Sequence, residues 1–381
     1  MDNEADIKND SVQNEPMAEP LKDTFEAPPP VPPQKSKKWG ASRWVLMPVK
    51  IGLGVLIIIV TICMYWSRMP VLFDPYERAL ARAIENGHVA EDFEGKLPTG
   101  YTTVSTIMAL SEWTLQKPGG YLSNDRLSPA LFIDNMPNFE YGMVIQLRDT
   151  VFALRHEFSR SRAQSEERQD LIEAEARYNF NHNNWLIPST ESQYREGLGF
   201  LQSYLDDIAV SGSNARLFIA RQDNLEGWLR RQQNRLGSFG VRLRASAGIY
   251  EFNPYLYRSD EIFLGDMAGS FDFENQTTTH WRRRDDVFYE IRGSIYVMYH
   301  VMLAIRTDYE GVLNDYQAMG VMNRILSELH TASQPMISPV VLNGSEYGFV
   351  HNHSLTLAAH IAKAHLAVQD LRILLRGGAD F

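Results

Sequence analysis

A single cysteine, Cys63, stands among 381 residues. No intrachain disulfide can form and no cysteine-based metal site can be assembled, so folded parts of the chain must hold together by packing. The lack of disulfides is compatible with a reducing or an oxidising compartment. G-x-S-x-G, a glycine-rich phosphate loop and HExxH are also missing, which leaves serine-nucleophile, P-loop and zinc-helix chemistry without a local signature. Basic charge is scarce after Trp66, where 30 Lys and Arg face 39 Asp and Glu for a net of −9. A domain of that sign is a poor candidate for nucleic acid. No segment recurs at a fixed period, so repeat architectures are set aside.

What the sequence does have is one long apolar run. Trp44 to Trp66 reads WVLMPVKIGLGVLIIIVTICMYW, with no charged side chain from Ile51 to Trp66. About 20 residues are enough for an α-helix to cross a hydrocarbon core of about 30 Å. Tryptophan brackets the run at both ends, with Tyr65 beside the second, where amphipathic rings favour the interface. Lys50 lies near the N-terminal end, so its stem can snorkel toward headgroups. The run predicts a single transmembrane helix over 44–66, with the lipid bilayer as its partner. Lys35, Lys37, Lys38 and Arg43 precede it, while Arg68 and Arg78 follow it beside Asp74 and Glu77. The positive-inside rule then places the N-terminus in the cytoplasm and the C-terminal part outside. Bulky Tyr65-Trp66 stands where a signal peptidase needs small residues, so the expectation is an uncleaved anchor.

Residues 1–43 are expected to be a disordered tail, acidic and Pro-rich, that ends in the basic cluster. Ala27-Pro28-Pro29-Pro30-Val31-Pro32-Pro33 suits a stiff polyproline spacer, a reading preferred over a ligand for an SH3-like partner. The 315 residues of 67–381 have ample chain to bury a core. Asp74-Pro75 offers an N-cap with proline at the first helical position and Asn86-Gly87 a stop, which predicts a helix over 75–85. A second covers about 99–116 and is stopped by Pro118-Gly119-Gly120.

From Asn138 onward, Val144, Leu147, Val151, Leu154 and Phe158 step by 3, 4, 3 and 4, a coiled-coil-like seam. Good helix formers then predict continuation to Asn179. Helices are further expected over 191–209 and 214–243. Residues 246–281 are aromatic and without helical period, which predicts an irregular insertion with a short hairpin at Ile249 to Tyr257. The longest seam runs from Ile291 to Leu329, predicting one helix over Asp285–Leu329 of about 68 Å at ~1.5 Å per residue, unless Gly311 or Gly320 kinks it. Leu357, Ile361, Ala364, Val368, Leu371 and Leu375 form a third seam in a last helix capped by Ser354. Each apolar stripe needs a partner, so the expected fold is all-α: one transmembrane helix followed by an elongated antiparallel helical bundle with an irregular insertion.

Candidate chemistry is thin. No two of His351, His353, His360 and His365 stand at the i, i+4 spacing of a zinc helix, so no metal and no other cofactor is expected. Arg216, Arg221, Arg230, Arg231, Arg235, Arg242 and Arg244 outnumber Asp223 and Glu226, and Trp281-Arg282-Arg283-Arg284 follows. Arginine suits bidentate anions, yet a solvated helix face with internal ion pairs is the preferred reading. Glu140, Asp134 and Glu157 are candidate paired carboxylates near the stretch 117–142, where Tyr121, Leu131, Phe132, Phe139 and Tyr141 need cover. That connector is the candidate binding site. Tyr121, Asn124, Asp125, Asn138 and Glu140 are its candidate residues, with Asn124, Asp125 and Asn138 expected to be exposed.

Lys117-Pro118-Gly119-Gly120-Tyr121-Leu122-Ser123-Asn124-Asp125 and Asp134-Asn135-Met136-Pro137-Asn138-Phe139-Glu140-Tyr141-Gly142 resemble a family of uncharacterised single-pass inner-membrane proteins of Gram-negative bacteria, a domain of unknown function. The resemblance covers most of the chain after the anchor. It implies a bacterial inner membrane with the bundle in the periplasm, and it carries over no catalytic or binding residue. Three functions follow as expectations. The first, which is not an enzyme, is an extracytoplasmic scaffold or interaction protein with an envelope protein partner or as a homo-oligomer. The second is an envelope glycan hydrolase using carboxylates near 117–142. The third is a sensory bundle that signals through a partner.

Overall fold

The computed structural model describes residues 43–125, 133–159, 167–211, 217–248, 279–336, 340–345 and 349–377. The tail, the greater part of the expected insertion with its hairpin, and Leu131 and Phe132 of the connector lie outside the described residues. Among the described residues there is no strand, and the one β feature is an isolated bridge between Asn343 and Asn352. The fold is all-α, as the seams require.

Helix α1 (Arg43–Trp66) contains Met47–Trp66, 20 residues of mean hydropathy 2.3 with none of that run buried. It is long and apolar enough to cross a membrane. The hydroxyl of Thr61 donates to the Ile57 carbonyl at 2.8 Å, so its polar group is satisfied within the helix.

Helix α2 (Pro75–Glu85) starts and stops where its caps dictate. The Asp74 carboxylate accepts from the Tyr76 and Glu77 amides, and Gly87 takes the positive φ of 71° that ends it. Helix α3 (Tyr101–Gln116) has no local side-chain cap, because Gly100 precedes it. Asp308, far along the chain, supplies one: its carboxylate accepts from the Thr103 amide at 2.8 Å and from the Thr103 hydroxyl at 2.6 Å. Burial pushes the Asp308 carboxyl up to about 6.

Helix α4 (Asn135–Ala153) closes in a π-turn (Leu154–Phe158), and Leu147, Val151, Leu154 and Phe158 of its seam are all buried in the main core. The helix does not run on to Asn179. The Arg148 guanidinium donates to the carbonyl of Tyr178 at 2.6 Å. In a continuous helix those residues would stand about 45 Å apart at ~1.5 Å per residue, so the chain has turned back. Helix α5 (Gln169–Tyr178) is a separate element that pairs with α6 (Thr190–Ser211), and α7 (Gln222–Ser246) begins later than composition suggests.

The Asp285–Leu329 rod is likewise three helices: α8 (Arg284–Asp308), α9 (Glu310–Asp315) and α10 (Met319–Ser333). Gln317 adopts φ 52°, with bonds from its amide to Asn314 O and from the Ala318 amide to Leu313 O. That is a Schellman closure, whose left-handed position is usually Gly or Asn. The heptad phase survives the turn because both arms bury the same stripe: Met302, Ile305, Met322 and Leu329 are all fully buried. Helix α10 runs back along α8, with Arg306 meeting Asn323 and Tyr299 meeting His330. Helix α11 (His353–Gly377) is capped by Asn352, whose side chain accepts from the Leu355 amide at 2.9 Å. Ser354, the expected cap, is buried and its hydroxyl has no partner among the described residues.

The segment that follows α1 is tied to α8. Tyr296 donates its hydroxyl to Val71 O at 2.8 Å, the Phe73 amide donates to His300 Nε2 at 3.2 Å, and the Phe73 and His300 rings stack at 4.3 Å. His300 Nδ1 faces Tyr296 O at 2.8 Å, so a neutral ring that donates there and accepts from Phe73 satisfies both nitrogens. Burial holds its pKa down to about 4.

Most neighbouring helices pair antiparallel, but α4 and α8 run parallel. Asn138 meets Asp286, Phe139 meets Gly293, and Phe158 meets Tyr309, so position advances together on both. Their backbones touch at Gly142 and Gly293. A Cβ on Gly142 would overlap the carbonyl oxygen of Glu290, and one on Gly293 that of Phe139. Ser294 fastens the crossing by donating its hydroxyl to Gly142 O at 2.9 Å. Alanine has the better helix propensity by about 1 kcal/mol, so the sign of Gly→Ala reports the crossing. Gly142→Ala and Gly293→Ala should each destabilise by about 1–3 kcal/mol through overpacking. Gly311→Ala, where a Cβ meets nothing within 4 Å, should not destabilise. Denaturant unfolding of the full chain in detergent reads the difference.

Candidate functional site

The connector between α3 and α4 folds around one buried carboxylate. Gly119 and Gly120 take φ of 87° and 69° after Pro118, turning the chain so that Lys117 Nζ donates to Gly120 O at 2.8 Å. The same ammonium lies 2.6 Å from Glu140 Oε1, with the two side chains 1% and 0% exposed. Glu140 Oε2 accepts from the Leu122 amide, the Ser123 amide and the Ser123 hydroxyl, each at 2.9 Å. Burial pushes the Glu140 carboxyl up, while Lys117 and these donors pull it down. A buried ion pair is tolerable when its remaining lone pairs are satisfied in this way.

Four of the five candidate residues are held by bonds or rings within the fold. Tyr121 is buried edge-on to Tyr194 at 6.1 Å, and Tyr194 stacks on Tyr178 at 5.6 Å. Burial drives the Tyr121 hydroxyl well above its ordinary range. Asn124 is buried rather than exposed, because its amide donates to Asn184 O at 3.1 Å and to Glu191 at 2.8 Å. Asn138 is half-buried and bridges to Asp286 at 2.7 Å. Asp125 is the candidate that faces solvent, its carboxyl raised by burial and by Glu191. Tyr121, Asn124 and Glu140 thus converge on one clamp joining α3, α4 and α6. Asn138 belongs to the α4–α8 contact instead.

The three carboxylates suggested for hydrolysis do not form a facing pair. Glu157 is 17 residues beyond Glu140 on the same helical run, about 25 Å along the axis at ~1.5 Å per residue. Retaining and inverting glycosidases need their carboxyl groups about 5–9.5 Å apart. Asp134 is exposed, but Glu140 has no accessible surface from which to act on a substrate.

Sequence reasoning missed a second polar cluster, carried by the π-turn. Glu157 pairs with Arg231 at 2.8 Å beside Gly227, and Arg235 pairs with Asp149. Arg231 also lies over the Phe152 ring, 4.6 Å from its centroid. Burial pushes the Glu157 carboxyl up to about 7 against the pull of Arg231 and Arg230. Gln146 and Gln232 bond across the same interface at 2.8 Å, each fully buried. Glu157, Arg231 and Arg235 were each named from the sequence, but a π-turn leaves no mark in residue pattern, so nothing there brought them together. Arg231, Arg235 and Arg242 of α7 are thus engaged within the fold, Arg242 pairing with Glu290 at 2.7 Å. The preferred reading of that stripe holds for the described pairs. Arg216 lies outside the described residues.

His351 and His353 lie close, with ring centroids 4.8 Å apart, whereas His360 bonds to Glu328 at 2.8 Å. Among the described residues no three His, Cys, Asp or Glu groups converge as metal ligands.

An all-α domain that follows one apolar helix, and whose buried charges are spent on joining helices, defines the class. The chain belongs to the family described as an uncharacterized protein conserved in bacteria (DUF2333), matched over residues 37–378. No curated protein and no solved structure matches it.

The clamp makes an ordered prediction. Glu140→Ala strands a buried ammonium and three donors, and should cost about 3–5 kcal/mol. Lys117→Met leaves the carboxylate its three donors and should cost less. Equal losses in chemical denaturation would remove the carboxylate from the centre of the clamp.

Proposed function

We propose that this protein is a membrane-anchored, extracytoplasmic helical scaffold or interaction protein of the bacterial cell envelope. In this reading residues 44–66 span the inner membrane, the tail is cytoplasmic, and 67–381 form a periplasmic domain that meets a protein partner or another copy. The observation that carries it is the apolar helix Met47–Trp66, no residue of which is buried. Such a surface is unfavourable in water and favoured in lipid. Lys35 to Arg43 supports the orientation. The candidate residues support a scaffold over a catalyst, because Tyr121, Asn124 and Glu140 are committed to holding helices together. Asp125 is the candidate connector position left for a partner to touch.

Fusion to the C-terminus tests the orientation. Alkaline phosphatase fused there should be active in cells, and a fluorescent protein that folds only in the cytoplasm should stay dark. The reverse pair of results would place the domain in the cytoplasm and end the proposal.

A further inference from the structure

Trp66, the last residue of α1, is seated on the connector. Its indole lies so close to Gly119 that a Cβ there would overlap the ring. Cys63 also packs against the main core. It stands three residues back along α1, about 4.5 Å from Trp66 at ~1.5 Å per residue. The headgroup layer on each side of a bilayer is about 5–8 Å deep. With α1 across a membrane, the connector end of the domain therefore cannot stand clear of the headgroups.

That end also carries an apolar loop. Asn124 is five residues beyond Gly119, within about 18 Å of it even along an extended chain, and donates its amide to Asn184 O at 3.1 Å. The next three residues, Trp185, Leu186 and Ile187, are 58%, 57% and 100% exposed. Their exposure is built in. The Asn184 amide donates to the Thr190 hydroxyl at 3.1 Å, the Thr190 amide to Asn184 O at 3.0 Å, and the Asn184 side chain to Pro188 O at 2.8 Å. Those bonds close the base of the loop on itself and hold the three apolar residues out at its tip. From Tyr178 to Thr190 there is no Asp, Glu, Lys or Arg, and burial holds the His182 pKa below its ordinary value.

We propose that Trp185-Leu186-Ile187 is a second membrane contact, a loop that dips into the outer face of the bilayer that α1 spans and holds the connector end of the domain against it. The proposal rests on the reading of α1 as a membrane anchor. Lipid is the occupant because the loop is tied to the connector on which Trp66 sits, at the end where the span emerges. It is also free of the charges that the apolar side of the interface rejects, and it begins with tryptophan, whose ring favours that layer. Val71, five residues after Trp66, adds an 85% exposed apolar side chain to the segment leaving the span. Val210 is 87% exposed too, but it stands at the other end of α6, about 30 Å from Thr190 at ~1.5 Å per residue. There Asp206 meets His88, and His88 bonds to Tyr101 at the start of α3, away from the connector.

Quenching of a fluorophore by labelled lipid tests the loop. The full chain in a Cys63→Ser background receives one cysteine at a time, as Ile187→Cys, Val210→Cys or Met64→Cys. Each variant is labelled with bimane and reconstituted into phosphatidylethanolamine–phosphatidylglycerol liposomes in which part of the phospholipid carries a nitroxide. Ile187 is fully exposed, so its replacement should leave the melting temperature unchanged. The label at 187 should be quenched about as strongly as the one at 64, several-fold more than the one at 210, and should be less open to iodide than the one at 210. Lipid quenching at 187 no greater than at 210 would overturn the proposal. So would a 187 label shielded from iodide yet untouched by the nitroxide lipid, the signature of a protein over the loop. Flotation with the liposomes and quenching at 64 score the anchor separately: a floating chain with 64 quenched and 187 in water refutes the loop alone, and a chain that does not float refutes both.

Discussion

Gly142 of α4 lies against the Glu290 carbonyl of α8, and Gly293 of α8 against the Phe139 carbonyl of α4, so close that neither position has room for a Cβ. The rest of the domain is arranged around that contact. It sets α4 and α8 parallel, which forces the chain between them to travel out and back through α5, α6 and α7. Those helices then pack on the pair: α7 through Glu157–Arg231 and Arg242–Glu290, and α5 and α6 through Arg148 and the tyrosines. Helix α3 joins from the other side, with Asp308 of α8 capping its N-terminus and the Lys117–Glu140 clamp fixing its C-terminus to α4. Neither end of α3 is closed by its own side chains.

These same contacts account for where the ionisable groups went. Glu140, Asp308 and His300 are buried groups of the sort that mark active sites when they face a cleft. Here each bonds a stretch of chain: the connector, the start of α3, and the residues after α1. The scaffold reading draws on that use of buried polarity. The outward faces are what remain for partners.

Much of this was legible in the residues and some of it could not be. The apolar run, the Asp74-Pro75 start, the Asn86-Gly87 stop and the buried seams were readable because caps and periodicity are local. The reversal at Gln317 was hidden, since a glutamine took the left-handed position and the heptad phase ran on through it. The turn between α4 and α5 was hidden for a similar reason, because good helix formers fill a stretch that tertiary contacts bend back. In the connector, the sequence singled out residues that do converge, but it assigned Asn124 to solvent. Nothing local announces that Asn184 and Glu191, some sixty residues on, will cover it. Gly142 and Gly293 look like weak points within their helices, and only their mutual approach gives them a purpose.

Native-state hydrogen exchange on the full chain in detergent tests the dependence on the α4–α8 pair most directly. The amides of 142–152 and 291–305 should be the slowest in the domain, exchange together, and open only with global unfolding. Early exchange of the α4 amides while those of α8 stay protected would show that the two helices come apart before the domain unfolds, and would contradict the account.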